Sequence, residues 1–257
     1  MAAYFTFFIF GLIVGSFLNC AIYRLEKGES CLHGRSYCPL CRHQLSWLDL
    51  IPLLSFLFLK GKCRYCQKKI SWQYPLVEMA TGLLFVLNVR ISDFLSSFNV
   101  WEIGYLDIIA CFLIIIFVYD LKYYIIPDKV IYPAIGIALI FDLLRSDFQW
   151  KSDFLISAVG AAAFFLAIVL ISRGKWMGAG DIKLAFLMGL FLGWPSIAVA
   201  LFLAFLSGAI IGVGLVFAKK KELKSEIPFG PFLVGGAFIA LFCGQNIINW
   251  YLNLILI

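Results

Sequence analysis

The chain has 257 residues, 63% of them hydrophobic and only 14% charged, with a mean hydropathy of +0.95 and a formal net charge of +6. Soluble globular domains carry about a quarter charged residues, so that class is excluded. The excess of positive charge requires no nucleic-acid partner, because membrane topology and anionic lipid account for it.

A membrane-crossing helix needs roughly 20 mostly apolar residues to pass about 30 Å of hydrocarbon. In chain order the apolar runs predict about eight such helices, at 2–23, 74–90, 103–119, 125–144, 154–171, 182–192, 196–218 and 232–248. The second is interrupted by Glu78 and the sixth is short. The first lacks the basic leading region and the small-residue cleavage site of a secretory signal, so it reads as a retained span. The expected architecture is an all-α polytopic membrane protein. It divides into a first transmembrane helix (1–23), a polar tetracysteine segment (24–73) and a membrane domain (74–257).

Basic residues fix the expected orientation. If the cysteine segment is cytoplasmic, alternate loops place all but Arg90, Arg145 and Lys151 of the 21 Lys and Arg residues on that same side. The group includes Lys122, Lys129, Arg173, Lys175, Lys183 and the run at Lys219, Lys220, Lys221 and Lys224. Cytoplasmic loops are the basic ones, so both termini are expected outside and the cysteine segment in the cytoplasm.

That segment holds two knuckles, Cys38-Pro39-Leu40-Cys41 and Cys63-Arg64-Tyr65-Cys66. They are duplicated. A shift of 25 residues superimposes both cysteine pairs and the tail behind each, Leu45-Ser46-Trp47 on Ile70-Ser71-Trp72. Four thiolates offer Zn²⁺ a closed tetrahedral shell that folds a segment with little core of its own. The alternative, a pair of disulfides, needs an oxidising compartment that the charge distribution argues against. His33 and His43 lie near enough to substitute as ligands, although four cysteines leave no vacancy. Cys20, Cys31, Cys111 and Cys243 are scattered and read mostly as small buried apolar groups.

Two carboxylates lie where ionisable groups are expensive. Asp120 ends the third predicted span and Asp181 opens the sixth, in Met177-Gly178-Ala179-Gly180-Asp181-Ile182-Lys183. The expected topology puts both at the cytoplasmic edge of the membrane. Two carboxyl groups at one depth on different spans can share a water: the ionised one takes its proton while the protonated one polarises a carbonyl. Like charges about 3 Å apart cannot both ionise, which is the logic of aspartic proteases. Gly178 and Gly180 would allow positive φ and let a substrate strand approach. The simpler reading is a glycine-rich turn with Asp181 capping the next helix. Asp128, after Ile126-Pro127, reads as a helix cap; Lys183 and Glu78 read as support, Glu78 through a basic loop residue or by orienting the dyad. Asp107 and Asp142 lie toward the outer ends of their spans and receive no role.

The order of these motifs resembles that of the prepilin peptidases, or type IV leader peptidases, in the GxGD class of membrane aspartic proteases. The resemblance runs through Gly15-Ser16-Phe17-Leu18-Asn19, Tyr23-Arg24-Leu25, both knuckles with Ile51-Pro52-Leu53-Leu54-Ser55 between them, and Tyr74-Pro75-Leu76-Val77-Glu78. It continues through Asp120, Ile126-Pro127-Asp128, Met177 to Leu184, and Pro228-Phe229-Gly230-Pro231. It implies removal of the basic leader of type IV prepilins or pseudopilins after a glycine on the cytoplasmic side. In many members S-adenosylmethionine-dependent methylation of the new amino terminus follows. It also implies catalysis by Asp120 and Asp181 and a tetracysteine site at Cys38, Cys41, Cys63 and Cys66. No separate methyl-donor fingerprint is evident, because Gly178-x-Gly180 belongs to the peptidase motif and follows no strand. The competing class is a proton-coupled transporter using the same aspartates as relays. It would place its acids near the bilayer midplane and repeat its halves, whereas these lie at span ends.

Overall fold

The computed structural model describes residues 2–30, 34–94, 100–144, 148–217 and 227–255. Cys31, His33, Arg145 and the lysine run at 219–224 lie outside the described residues. Among those described, the chain is helical throughout, and two isolated β-bridges in the cysteine segment are its only extended pairing. Contacts divide it into two compact units, Met1–Ile115 and Ile116–Ile257.

In the first unit α1 (Ala2–Lys27) packs along α3 (Gln73–Phe94), and the cysteine segment is strung between them. That segment contains one 3₁₀ turn, Trp47–Leu50, and one short helix, α2 (Leu54–Phe58). Small residues permit the α1–α3 approach. A Cβ on Gly15 would come within 2.7 Å of Glu78 Cα, and one on Gly11 within 2.7 Å of Gly82 Cα. Close backbone contact of this kind drives association where lipid removes the hydrophobic incentive. Glu78 does not interrupt α3, which runs unbroken past it. The helix α4 (Val100–Tyr123) begins in this unit, where buried Asn88 donates to Asp107 Oδ1 at 2.8 Å.

The second unit is built around α7 (Ala179–Leu192), which contacts α5 (Asp128–Leu144), α6 (Phe148–Ser172), α8 (Ser196–Phe217) and α9 (Gly230–Ile255). Its 14 residues span about 21 Å, too little for about 30 Å of hydrocarbon. Yet Leu184, Ala185 and every residue from Leu187 to Leu192 are buried. A helix that is apolar all round belongs inside a bundle, and α7 is the core of this one. A Cβ on Gly189 would overlap the backbone of α6 at Ala158, so these two helices touch main chain to main chain.

Among the described residues, six helices meet the length and composition for membrane crossing: α1, α3, α4, α6, α8 and α9. The two remaining predicted spans correspond to α5, with 17 residues and Pro133 inside it, and to the short α7. The chain is a multi-pass membrane protein.

Candidate active site and candidate metal centre

Asp120 lies in the last turn of α4 with only 5% of its surface exposed. Its Oδ2 accepts the backbone N–H of Gly230 at 2.9 Å. Gly230 opens α9, so the carboxylate sits against a helix N-terminus, where unpaired N–H groups and the macrodipole favour negative charge. Any side chain at 230 would intrude, because a Cβ there would come within 2.6 Å of Oδ2.

Asp181 is also buried, at 8%, and occupies the first turn of α7. It is not the cap: Gly178 takes that position with extended backbone (φ −81°, ψ 154°), and the Asp181 N–H donates to the Gly178 carbonyl at 3.2 Å. Neither Gly178 nor Gly180 uses a positive φ, contrary to the expectation from their sequence. Their smallness has separate uses. A Cβ on Gly180 would come within 3.0 Å of Ile126 Cβ, whereas one on Gly178 would make only an ordinary contact, 3.9 Å from Gly180 N.

Asp120 and Asp181 are close enough to interact electrostatically. Each also lies at the positive end of a helix, Asp120 facing α9 and Asp181 within α7. Two helix N-termini, each worth roughly half a positive charge, offset about one carboxylate charge and leave a second uncompensated.

Asp128 opens α5 but does not cap it; the Pro127 carbonyl accepts the N–H of Ile131 at 3.1 Å. The Asp128 side chain instead pairs with Lys183, whose Nζ also lies 4.8 Å from the centre of the Tyr132 ring. This link ties the start of α7 to the start of α5. The Asp128 side chain is 61% exposed, and exposed pairs are worth about 0–1 kcal/mol. Asp128→Asn is therefore expected to lower stability by no more than about 1 kcal/mol, read as a small shift in the thermal unfolding of the purified protein.

Glu78 belongs to the first unit and accepts the N–H of Leu53 at 2.9 Å, not a basic side chain. Ser16 also hydrogen-bonds it. Leu53 is the centre of a tight turn (φ 58°, ψ −47°) in which the Leu54 N–H donates to the Pro52 carbonyl at 2.6 Å. This is the rare, strained form of the γ-turn, and Glu78 secures its free N–H. Glu78→Ala leaves that donor unpaired at a cost of about 1–3 kcal/mol. Thermal unfolding of the purified protein is expected to shift down accordingly.

The four knuckle sulfurs lie within 4.8 Å of one another, with Cys38 Sγ and Cys66 Sγ 4.0 Å apart. The sequence duplication is repeated in hydrogen bonds. Cys38 N–H donates to the His43 carbonyl as Cys63 N–H does to Lys68, and Arg42 N–H donates to the Cys38 carbonyl as Gln67 N–H does to Cys63. Leu45 to Ser36 and Ile70 to Gly61 follow the same shift, as do the bridges Tyr37–Gln44 and Lys62–Lys69. Arg42 and Gln67 both adopt positive φ, at 57° and 58°.

Burial works against the Cys38 thiolate, but the N–H groups of Cys41 and Leu40 and the neighbouring thiols outweigh it and bring the group down to about 7. The same donors act at Cys63, from Cys66 and Tyr65, yet burial prevails there and pushes that thiol up. Two sulfurs per knuckle, with backbone donors aimed at the leading one, fit a metal that takes thiolates. His43 is not in the cluster; its ring packs on Tyr65 of the other knuckle, 3.7 Å between centroids.

Asp49 joins the knuckles. It accepts from Ser46 N–H and Oγ, from Tyr65 OH and from Arg64 Nε, the last at 2.7 Å. Burial alone would raise its carboxyl, but the Ser46 bonds, the Arg64 charge and Tyr65 hold it below the ordinary value. The buried Arg24 guanidinium donates to the Ser30 and Arg35 carbonyls at 3.0 Å and so fixes the entry to the first knuckle. Asn19 donates to the Tyr74 carbonyl and accepts from Gln73, which fixes the exit.

Residues 9–91 match the family model described as the bacterial peptidase A24 N-terminal domain, and residues 108–213 match that of the type IV leader peptidase family. A prepilin leader peptidase/N-methyltransferase of Aeromonas salmonicida is 34% identical over 278 residues, covering 97% of this chain and 94% of the relative. One of the same name from Bacillus subtilis is 35% identical over 253 residues, covering 97% and 98%. No solved structure matches the chain. With similarity running through both units and nearly end to end, the chain belongs to the type IV leader peptidase family.

Proposed function

We propose that the protein removes the basic leader from type IV prepilins or pseudopilins, with Asp120 and Asp181 activating one water, and then N-methylates the new terminus. Family membership makes the chain an enzyme, a peptidase that is also an N-methyltransferase. The observation that supports the dyad is the burial of two carboxyl groups, each against a helix N-terminus, near enough for one charge to influence the other.

In this reading the ionised carboxylate accepts a proton from water as the oxygen attacks the scissile carbonyl. The protonated partner donates a hydrogen bond to that carbonyl, stabilises the developing oxyanion and then passes its proton to the leaving nitrogen. The Gly230 N–H holds the Asp120 carboxylate in one orientation throughout. A prepilin carries a basic leader followed by a long apolar helix, so its cut site lies at the membrane surface. The asymmetry of Lys and Arg supports placing the aspartates and the cysteine segment on the cytoplasmic side.

Cys38, Cys41, Cys63 and Cys66 would hold Zn²⁺. A Cys₄ shell leaves no open position for water, so the metal's part is structural. S-adenosylmethionine would supply the methyl group; its site is not assigned. Mass spectrometry of a co-expressed prepilin reads both activities at once. The expected product begins just after the leader glycine and is heavier by one methyl group. An intact leader would refute the peptidase reading; a cut but unmethylated product would refute the second activity.

Gly230 supplies a subtler check. Gly230→Ala forces the Asp120 carboxylate aside, and displacements near 1 Å can cost about 10²-fold. Cleavage is expected to fall by that order while Gly178→Ala, whose Cβ would make only an ordinary contact at 3.9 Å, has a smaller effect.

A further inference from the structure

The exposed side chains of α2 are Leu54, Leu57 and Phe58, the last two 71% and 81% exposed, and Trp72 nearby is 70% exposed. Soluble surfaces seldom leave so much contiguous apolar area to water. Two contacts fix the depth of α2. The Phe56 ring packs on Trp72 at 5.1 Å, and Trp72 immediately precedes the candidate span that starts at Gln73. The N–H at the entrance to α2 is held by Glu78, five residues, or about 7–8 Å, along that span. Both markers put α2 at the level where the bilayer begins, within the 5–10 Å to which interfacial helices sink.

We propose that α2 is an interfacial anchor, its Leu54, Leu57 and Phe58 face seated at the headgroup–acyl boundary of the leaflet on the side of the cysteine segment. The occupant is phospholipid, and an anionic one is favoured by the exposed Lys60 and Lys62 that follow the helix. Tryptophan at a span boundary is the usual interface marker, and Trp72 has that position. The anchor explains why the spacer between the knuckles carries an apolar stretch: the second knuckle hangs from the membrane surface by α2 on one side and by α3 on the other. The competing occupant is the apolar helix of a protein substrate, which would lie on the same face only when present.

The test uses the full-length protein in nanodiscs containing phosphatidylglycerol, with the photoreactive residue p-benzoylphenylalanine at Leu57 or at Phe58. Both positions are exposed, so the replacement disturbs no packing. Leu40, exposed within the first knuckle, is the control position. Irradiation without substrate is expected to give lipid adducts by mass spectrometry at 57 and 58 and none at 40. Absence of lipid adducts at 57 and 58 would overturn the proposal. So would crosslinks at these positions that form only with added prepilin and join the two proteins.

Discussion

Asp120→Asn and Asp181→Asn are each expected to abolish removal of a prepilin leader in membranes while the protein accumulates at its normal level. General acid–base groups contribute about 10²–10⁴-fold apiece, and the proposed mechanism needs one carboxyl group as base and the other as acid, so the loss should reach at least the upper part of that range. The amide is the informative replacement. At position 120 its oxygen still accepts the Gly230 N–H, so the buried donor stays satisfied and the local packing is kept. Asp120→Ala would instead orphan that donor at about 1–3 kcal/mol and confuse stability with chemistry. Wild-type cleavage by either Asn variant, followed as the processed fraction of prepilin against time, removes that aspartate from the mechanism.

The reason to expect equal losses from both lies in charge. Two like charges in a poorly hydrated pocket repel strongly, and the helix N-termini facing them offset about one charge between them. Either amide leaves a single carboxyl group without a partner to share its proton. What remains can be a base or an acid, but not both within one turnover. A metal-dependent or transporter reading predicts nothing so symmetrical.

Much of this geometry was legible before any coordinates. The 25-residue duplication of Cys38–Trp47 in Cys63–Trp72 anticipated a duplicated backbone, since identical spacing of ligands and turn residues dictates identical hydrogen bonds. Asp120 and Asp181 stood out because charge inside an apolar run is costly. Other features had no local signal. Gly230 stands in the Pro228-Phe229-Gly230-Pro231 motif with no role that the sequence assigns; only the fold brings its N–H to a carboxylate in α4. Glu78 looked in need of a basic partner, but the strained turn at Leu53 offered a backbone donor instead. The length of α7 was visible, but not its burial by α5, α6, α8 and α9, because hydropathy counts apolar residues without saying whether lipid or protein covers them. Asp128 and Lys183 pair across two helices, which no helix-capping rule can anticipate.

Cys63→Ser or Cys38→Ser is expected to release about one zinc per chain from its Cys₄ shell and to open the cysteine segment to proteolysis. Among the described residues between Gly34 and Trp72, only Cys38 and Cys63 are buried. Apart from the charged Asp49 side chain, 3% exposed, the other described residues there are at least partly exposed, so they form no hydrophobic core to repay the entropy of ordering the backbone, roughly 1–2 kcal/mol per residue. Structural zinc in small knuckles supplies about 10–16 kcal/mol; the Asp49 cluster and the Arg24 contacts, at a few kcal/mol together, cannot replace it. Asp120, Asp181 and Gly230 belong to the second unit, with its own packed core around α7. The variants should therefore lose methylation and thermal stability more than peptide cleavage. Metal analysis, limited proteolysis and prepilin mass spectrometry on the same preparation separate these effects. Purified protein that carries no zinc, or cysteines found oxidised in pairs, would show that thiolate–metal bonds do not hold the knuckles together.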